Sequence, residues 1–289
     1  MLYRIADEIL SVEGRNSSYL QHRMDAYKVE LDKGIPADLN VTFKENTCIE
    51  VPAGKDFRRL DAWYWFDRGE NGYSAIKQFS KYHVNLVRVD IDRECKNVCI
   101  EYVDIQNYLD ITTDYLLHYV LGDAVAFCQT IRNATVLHAA TIAYRGQAVL
   151  FSAPSETGKS THTEFWKKLY PKEVILFNDD TPIIRKQGEN LYAFGTPWSG
   201  KTEINENICA PLRSIVFLKQ ARENYIRPLS TVEAAVRLVN ETRKPVFDSL
   251  MEMHMQLINE IIVNTPIYEL SCNISDKAVE LVKETLFQE

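Results

Sequence analysis

The chain has 289 residues and a formal net charge of −7, with a pI near 5.5, so it is long enough for one large domain or two modest ones with a sizeable core. The acidic balance, with no compensating basic stripe, argues against nucleic acid or an anionic membrane as a partner, and no segment approaches the length of an apolar membrane span. The six cysteines, Cys48, Cys95, Cys99, Cys128, Cys209 and Cys272, are scattered. They read as reduced, structural thiols of a cytoplasmic protein, without a disulfide framework or a completed zinc site.

In chain order, Met1–Leu10 alternates early and carries acids, which fits an opening strand and not a secretory signal. Residues up to about 108 then read as strands and turns. Val41–Phe43, Cys48–Val51, Ala62–Phe66, Val84–Ile91 and Asn97–Val103 are β-rich runs, separated by polar turns such as Asp67–Gly72. This pattern predicts a mostly antiparallel β N-terminal subdomain over 1–108, and a second domain over 109–289. Asp110 is placed to cap a long helix that carries Ile111, Tyr115, His118 and Tyr119 at helical spacing and runs to about Ile131. Two strands follow, Val136–Tyr144 and Gln147–Ser152, joined by a tight hairpin at Arg145-Gly146.

The segment Ala153-Pro-Ser-Glu-Thr-Gly-Lys-Ser160 follows that second strand directly. It is the G-x-x-x-x-G-K-[ST] phosphate cradle with Ala153 at the first glycine position. Gly158 permits the sharp turn, and Ser155, Glu156, Thr157 and Gly158 bring backbone N–H groups toward a phosphate. The loop feeds the positive end of a helix marked by His162, Phe165, Trp166 and Leu169. Lys159 would reach the β- and γ-phosphates, Ser160 would sit on a magnesium ion, and Thr161 would donate to the α-phosphate. Against these roles stands the plain reading of a Gly-Lys-Ser turn before a helix.

Beyond the loop, Val174–Asp180, Pro182–Ile184, Leu191–Phe194 and Arg213–Leu218 read as strands. Three helices close the chain, centred on 232–239, on 250–261, and on 278–286 after a Ser275 cap. Asn178-Asp179-Asp180 ends an apolar strand, where one carboxylate can hold magnesium and the other can take a proton from an attacking hydroxyl. The plain alternative is a polar turn. His138 lies on the strand beside the phosphate-loop strand, either facing the carboxylates or serving as a hydrogen-bonded core residue. Gly195-Thr-Pro-Trp-Ser-Gly-Lys-Thr-Glu203 is costly to order without purpose. Lys201 there could stabilise transferring charge, Glu203 could assist the metal and Trp198 could form a wall. Arg213, Arg222 and Arg227 are candidates for a charge-stabilising cation.

The order His138, phosphate loop with Lys159 and Ser160, then Asp179-Asp180 resembles the catalytic core of the HPr kinase/phosphorylase family, which is related in fold to phosphoenolpyruvate carboxykinase. The run from Leu137 through Phe194–Lys201 to Ala210–Leu218 is similar to the HPr-kinase-like proteins of peptide-modification systems, including lasso-peptide kinases. The resemblance covers roughly residues 134 to 240. It implies an α/β fold with a mixed central sheet and a P-loop, and a kinase using ATP and Mg2+. Asp179 would be the general base, Asp180 and Ser160 would lie near the metal, and His138 would orient phosphate. The acceptor would be a serine-type hydroxyl on a peptide or small protein. A small-metabolite kinase on the same core and a non-catalytic nucleotide sensor are the alternatives, and both a monomer and a homo-oligomer stay open. The absence of a Leu-Ser-Gly-Gly-Gln signature argues against an ABC-type ATPase.

Overall fold

Alternation of buried and exposed side chains governs both sheets of the protein. The structure, a computed structural model, describes residues 1–30, 36–53, 56–60, 62–79, 84–106 and 108–288. The chain divides into two compact units, Met1–Ile131 with Pro245–Met251, and Arg132–Lys244 with Glu252–Glu289. The division falls after the long helix, later than the boundary at 108 expected from sequence.

The first unit contains β1 (Leu2–Ile5), β2 (Glu8–Glu13), α1 (Ser18–Met24), β3 (Leu39–Glu45), β4 (Asp56–Leu60), β5 (Trp63–Asp67), β6 (Tyr73–Phe79), β7 (Val84–Ile91), β8 (Asn97–Tyr102) and α2 (Thr113–Gln129). Its strands form one sheet in the order β1-β2-β3-β8-β7-β6-β5-β4. Pairing is antiparallel except at β2–β3 and β3–β8. Cys48–Val51 is not a strand; Pro52 follows it and lacks the N–H that a ladder needs. Thr112, not Asp110, caps α2, with its side chain accepting from the Tyr115 N–H. The helix packs through Phe127, whose ring stacks on Trp65 at 4.7 Å between centroids. No helix among the described residues is long and apolar enough to cross a membrane.

The second unit contains β9 (Ala134–Val136), β10 (Ala139–Tyr144), β11 (Gln147–Ser152), α3 (Lys159–Leu169), β12 (Val174–Asn178), β13 (Ile183–Gln187), β14 (Asn190–Phe194) and β15 (Cys209–Gln220). There follow β16 (Tyr225–Pro228), α4 (Thr231–Glu241), α5 (Asp248–Asn264, begun in the first unit), β17 (Ile267–Cys272) and α6 (Asp276–Leu286). The sheet runs β12-β10-β11-β15-β14-β13-β9, with β17 beside β15 and β16 beside β17. β11 is parallel to β15, and β15 is parallel to β17.

β10 and β11 pair antiparallel from Ala139↔Ser152 to Tyr144↔Gln147. Arg145 and Gly146 both adopt positive φ, 49° and 78°, the turn whose twist suits a two-residue hairpin. The run Val136–Tyr144 is not one strand, however. β9 pairs with β13, while β10 pairs with β11 and β12. At the break, the Leu137 N–H donates to Pro182, the His138 N–H to the Glu241 carbonyl at 2.8 Å, and the Ala139 N–H to Asp180.

Alternation then sorts the core into two layers. Val149, Phe151, Val216 and Leu218 face Trp166 of α3 and Val279, Val282 and Leu286 of α6. Ala148, Leu150, Ile215 and Phe217 face the other way, toward Ala234 and Leu238 of α4 and Leu257, Ile258 and Ile261 of α5. Helices thus cover both faces of this sheet, and the parallel pair β11–β15 lies buried between them. That arrangement leaves the carboxyl ends of β11 and β15, with the loop that follows β11, as an opening where a ligand can approach.

Candidate active site

The loop 153–158 leaves the buried end of β11 and turns into α3. Glu156 takes positive φ of 66° and Gly158 takes φ of 112°, the latter a conformation that glycine adopts without strain. Within the loop, the Thr157 hydroxyl donates to the Pro154 carbonyl at 2.8 Å. The His162 N–H is bonded to the Gly158 carbonyl at 2.9 Å and closes the first turn of the helix. The N–H groups of Lys159, Ser160 and Thr161 come before that bond and have no intrahelical acceptor. Their partial positive charge sits at the head of the helix. Ala153 is buried, and Pro154, Ser155 and Glu156 are exposed. His162 belongs to the core: the Trp166 Nε1–H donates to its Nε2 at 3.2 Å. Burial lowers its pKa to about 4.

Lys159 is only 7% exposed. Its ammonium group donates to the Ala153 carbonyl at 2.9 Å and to Nε2 of His138 at 3.1 Å. Burial pushes its pKa down, against the pull of Asp180, Glu241 and Asp179. The lysine is therefore folded over its own loop, held by two of its three N–H bonds and surrounded by carboxylates.

The acid pair is set by Asn178. Its side-chain oxygen accepts from the N–H groups of Asp180 and Thr181, at 3.1 and 2.8 Å. Its amide donates to the Thr196 carbonyl at 2.9 Å. This local bonding explains why Asn occupies the strand end. The two carboxylates then part company. Asp179 is 8% exposed, and its Oδ2 accepts from the Ser160 hydroxyl at 2.9 Å. Burial raises the Asp179 pKa; the neighbouring Thr202 and Ser160 hydroxyls and Lys159 oppose that shift, and Asp180 reinforces it. The Thr202 hydroxyl donates to Ser199, and Oδ1 of Asp179 is buried without a hydrogen-bond partner. Asp180 is more open, and its Oδ1 stands 3.5 Å from Nε2 of His138. Ser160 thus bonds Asp179, while Asp180 faces His138.

The loop after β14 closes over this turn. Gly200 has φ of 62°, and a Cβ there would lie 3.3 Å from Cβ and Cγ of Asp180, so the backbone approaches the carboxylate closely. The Thr181 hydroxyl donates to the Trp198 carbonyl, and Trp198 itself is 5% exposed. Two clefts flank the 153–158 loop. One of about 500 Å³ is lined by Pro154–Thr157, Leu218–Gln220 and Arg237. The other, about 440 Å³, lies between Thr161, Phe165, Ala221 and the 272–275 segment. Trp198 lines neither.

Of the other expected residues, Arg213 is held away from this centre. Lys201 is exposed and makes no ion pair among the described residues. Glu203 is exposed at φ of 20°. No group of three or more His, Cys, Asp or Glu side chains suited to a metal occurs among the described residues. Arg213 lies at the wrong end of β15. Residues 212 and 214 pair with Ala148 and Val149, whereas Ser152, where the loop begins, pairs with Phe217. Three to four residues at about 3.3 Å each put Arg213 roughly 10–13 Å back along the sheet. There its guanidinium donates to the Leu286 carbonyl, at 3.1 Å through Nε, and closes the end of α6. Arg227 is paired with Glu233 and Glu269. The Arg222 carbonyl accepts from Asn273.

Sequence reasoning missed Glu241. Its Oε2 lies 3.1 Å from Nδ1 of His138, so the ring is gripped from both sides, by Glu241 on one nitrogen and by Lys159 on the other. The two residues are 103 positions apart, and an acid ending an amphipathic helix carries no signal of such a contact.

The assembled set is a helix head with free N–H groups, a buried ammonium, a hydroxyl and two carboxylates. It can hold an anion beside a hard cation and accept a proton nearby. Among known proteins, the solved structure of the HPr(Ser) kinase/phosphatase from Coxiella burnetii is similar over 52% of this chain and 92% of that chain, at 12% identity and a TM-score of 0.31. A likeness at that level carries no argument about activity. No curated protein matches the chain. The family model described as "SynChlorMet cassette protein ScmC" matches residues 111–286, a span wider at both ends than the motif-bearing region. On that match, which takes in α2 and the second unit through α6 and covers more than half of the sequence, the chain belongs to the SynChlorMet cassette protein ScmC family.

Proposed function

We propose that the protein is a Mg-ATP-dependent phosphotransferase that moves the γ-phosphoryl group to a serine-type hydroxyl on a peptide or small protein. The observation that carries this reading is the convergence at one sheet end of Lys159, Ser160, Asp179, Asp180 and His138, from separate segments of the chain. Phosphoryl transfer asks mainly for positioning and charge stabilisation, and this set can supply both. The N–H groups of residues 159–161 and the Lys159 ammonium would cradle the triphosphate. The Ser160 hydroxyl would turn from Asp179 to a magnesium ion held also by Asp180.

Magnesium fits the donor set on two counts. The donors at Asp180 and Ser160 are hard oxygens, and beside them Oδ1 of Asp179 is buried without a partner. One carboxylate and a hydroxyl leave positions for phosphate oxygens and water, which is how Mg2+ is usually held beside a nucleotide. When bound, the ion would neutralise charge on the β- and γ-phosphates. Asp179 would accept the proton of the attacking hydroxyl, and its burial-raised pKa suits a base that must also release that proton. His138 would orient phosphate beside Lys159. The peptide acceptor rests on the likeness of the motif order to HPr-kinase-like proteins of peptide-modification systems.

The experiment is transfer from γ-labelled ATP with Mg2+ to serine-containing peptides, small proteins and hydroxyl metabolites, followed by label and by mass shift. Label on a peptide or small protein supports the reading. Label on metabolites alone shifts the acceptor class, and nucleotide binding without transfer to any acceptor would make the protein a sensor.

A further inference from the structure

We propose that Glu241 is a positioning residue: it fixes the tautomer of His138 and, through that ring, the direction of the Lys159 ammonium group. The inference rests on the reading of Lys159 as the phosphate-binding lysine, but its structural half stands on hydrogen-bond chemistry alone.

Each partner of His138 dictates where the ring hydrogen sits. The Glu241 carboxylate can only accept, and it lies 3.1 Å from Nδ1, so Nδ1 carries a hydrogen. The Lys159 ammonium can only donate, and it lies 3.1 Å from Nε2, so Nε2 presents its lone pair. Asp180 Oδ1 stands farther off, 3.5 Å from Nε2, against 3.1 Å for the Lys159 ammonium. Together the two closer contacts place the ring hydrogen on Nδ1. With one ammonium N–H on His138 and another on the Ala153 carbonyl, the tetrahedral geometry of the nitrogen fixes the third. That bond is the one left for a phosphate oxygen.

The fold holds Glu241 in place with several bonds. It is the last residue of α4, and its own carbonyl accepts the His138 N–H. Thr242 bridges Leu137, and the Arg243 N–H donates to Val136. The Thr242 hydroxyl donates to the Leu238 carbonyl at 2.8 Å and so accepts from Nε2 of His254 at 3.0 Å. The segment 241–243 is thus clamped antiparallel to 136–138, with the Glu241 side chain 17% exposed beside the ring. A solvated acid at a helix end would need none of these bonds.

The test is the tautomer of His138 in nucleotide-free protein labelled with ¹⁵N-histidine, read from long-range ¹H–¹⁵N spectra, with the signal assigned by its loss in His138→Gln. The wild type should show the Nδ1–H pattern. Glu241→Ala should lose that pattern and bind the non-hydrolysable ATP analogue AMP-PNP about tenfold more weakly. Glu241→Gln, whose amide oxygen still accepts, should recover most of both. An Nε2–H pattern in the wild type overturns the proposal whether or not any variant folds. An unchanged spectrum and affinity in Glu241→Ala overturns it as well. If the spectra behave as expected but the wild type binds no AMP-PNP, the phosphotransferase reading fails and the positioning of the ring stands.

Discussion

Replacing Lys159 with Met separates the lysine's cost to the fold from its use in binding. In the folded chain the ammonium is 7% exposed, and burial lowers its pKa below the ordinary 10.5 despite three nearby carboxylates. A folded pKa below the unfolded one means that the charged form is disfavoured by folding at neutral pH. That penalty is relieved only as pH rises toward the unfolded value. The Lys159→Met variant would remove the penalty while forfeiting two hydrogen bonds, each worth about 1 kcal/mol net. These terms oppose each other, so stability should fall by less than the roughly 2 kcal/mol of the two bonds alone. Binding should respond very differently. A charge-assisted hydrogen bond to phosphate contributes about 1.5–3 kcal/mol, which corresponds to a loss of roughly 10–150-fold in nucleotide affinity. Calorimetric titration with AMP-PNP and a thermal melt on the same preparation read both quantities. A variant that melts far lower yet binds nucleotide as the wild type does would refute the reasoning, because Lys159 would then be part of a structural ion cluster.

Two further outcomes follow from the buried polar groups. His162 and His254 both have pKa values lowered to about 4, by burial and, for His254, by the nearby Lys244 charge as well. The unfolded chain binds more protons than the folded one between about 6.5 and 4, so stability should fall as pH drops through that window. The loss is at most about 3 kcal/mol per histidine, partly offset by Asp179, whose raised pKa acts in the opposite sense. Denaturant midpoints at pH 7 and pH 5 check the sign, and a flat profile would contradict it. Asn178→Ala should destabilise by about 2–4 kcal/mol, because it strips partners from the buried N–H of Thr181, from the N–H of Asp180 and from the carbonyl of Thr196. An unfolding midpoint near wild type would show that the turn holds without it.

The parts of this architecture written in local chemistry were legible in the sequence. The hairpin at Arg145-Gly146, the loop-to-helix passage at Gly158 and the carboxylates after an apolar strand each depend on a few adjacent residues. What depended on distant partners was not. The run Val136–Tyr144 is apolar throughout most of its length, and nothing in it marks the break at Leu137-His138, which exists because β13 and β12 claim its two halves. β17 was missed between two helices; it completes the sheet by pairing in parallel with β15, a contact between segments far apart in the chain. Arg213 looked like a candidate cation until the register of β15 put it at the far end of the sheet. Asp110 was a reasonable cap by type, but Thr112 stands where the helix geometry needs the acceptor.

The central claim is that a bound triphosphate gives up its γ-phosphoryl group to a hydroxyl deprotonated by Asp179. Single-turnover transfer from γ-labelled ATP, compared between wild type and Asp179→Asn with AMP-PNP affinity measured alongside, tests it most directly. The account predicts that the variant keeps nucleotide affinity within a few-fold and loses transfer by a factor of at least about 100, the scale of a general-base contribution. Transfer at the wild-type rate in Asp179→Asn, or no Mg2+-dependent transfer by the wild type to any hydroxyl acceptor, would contradict it.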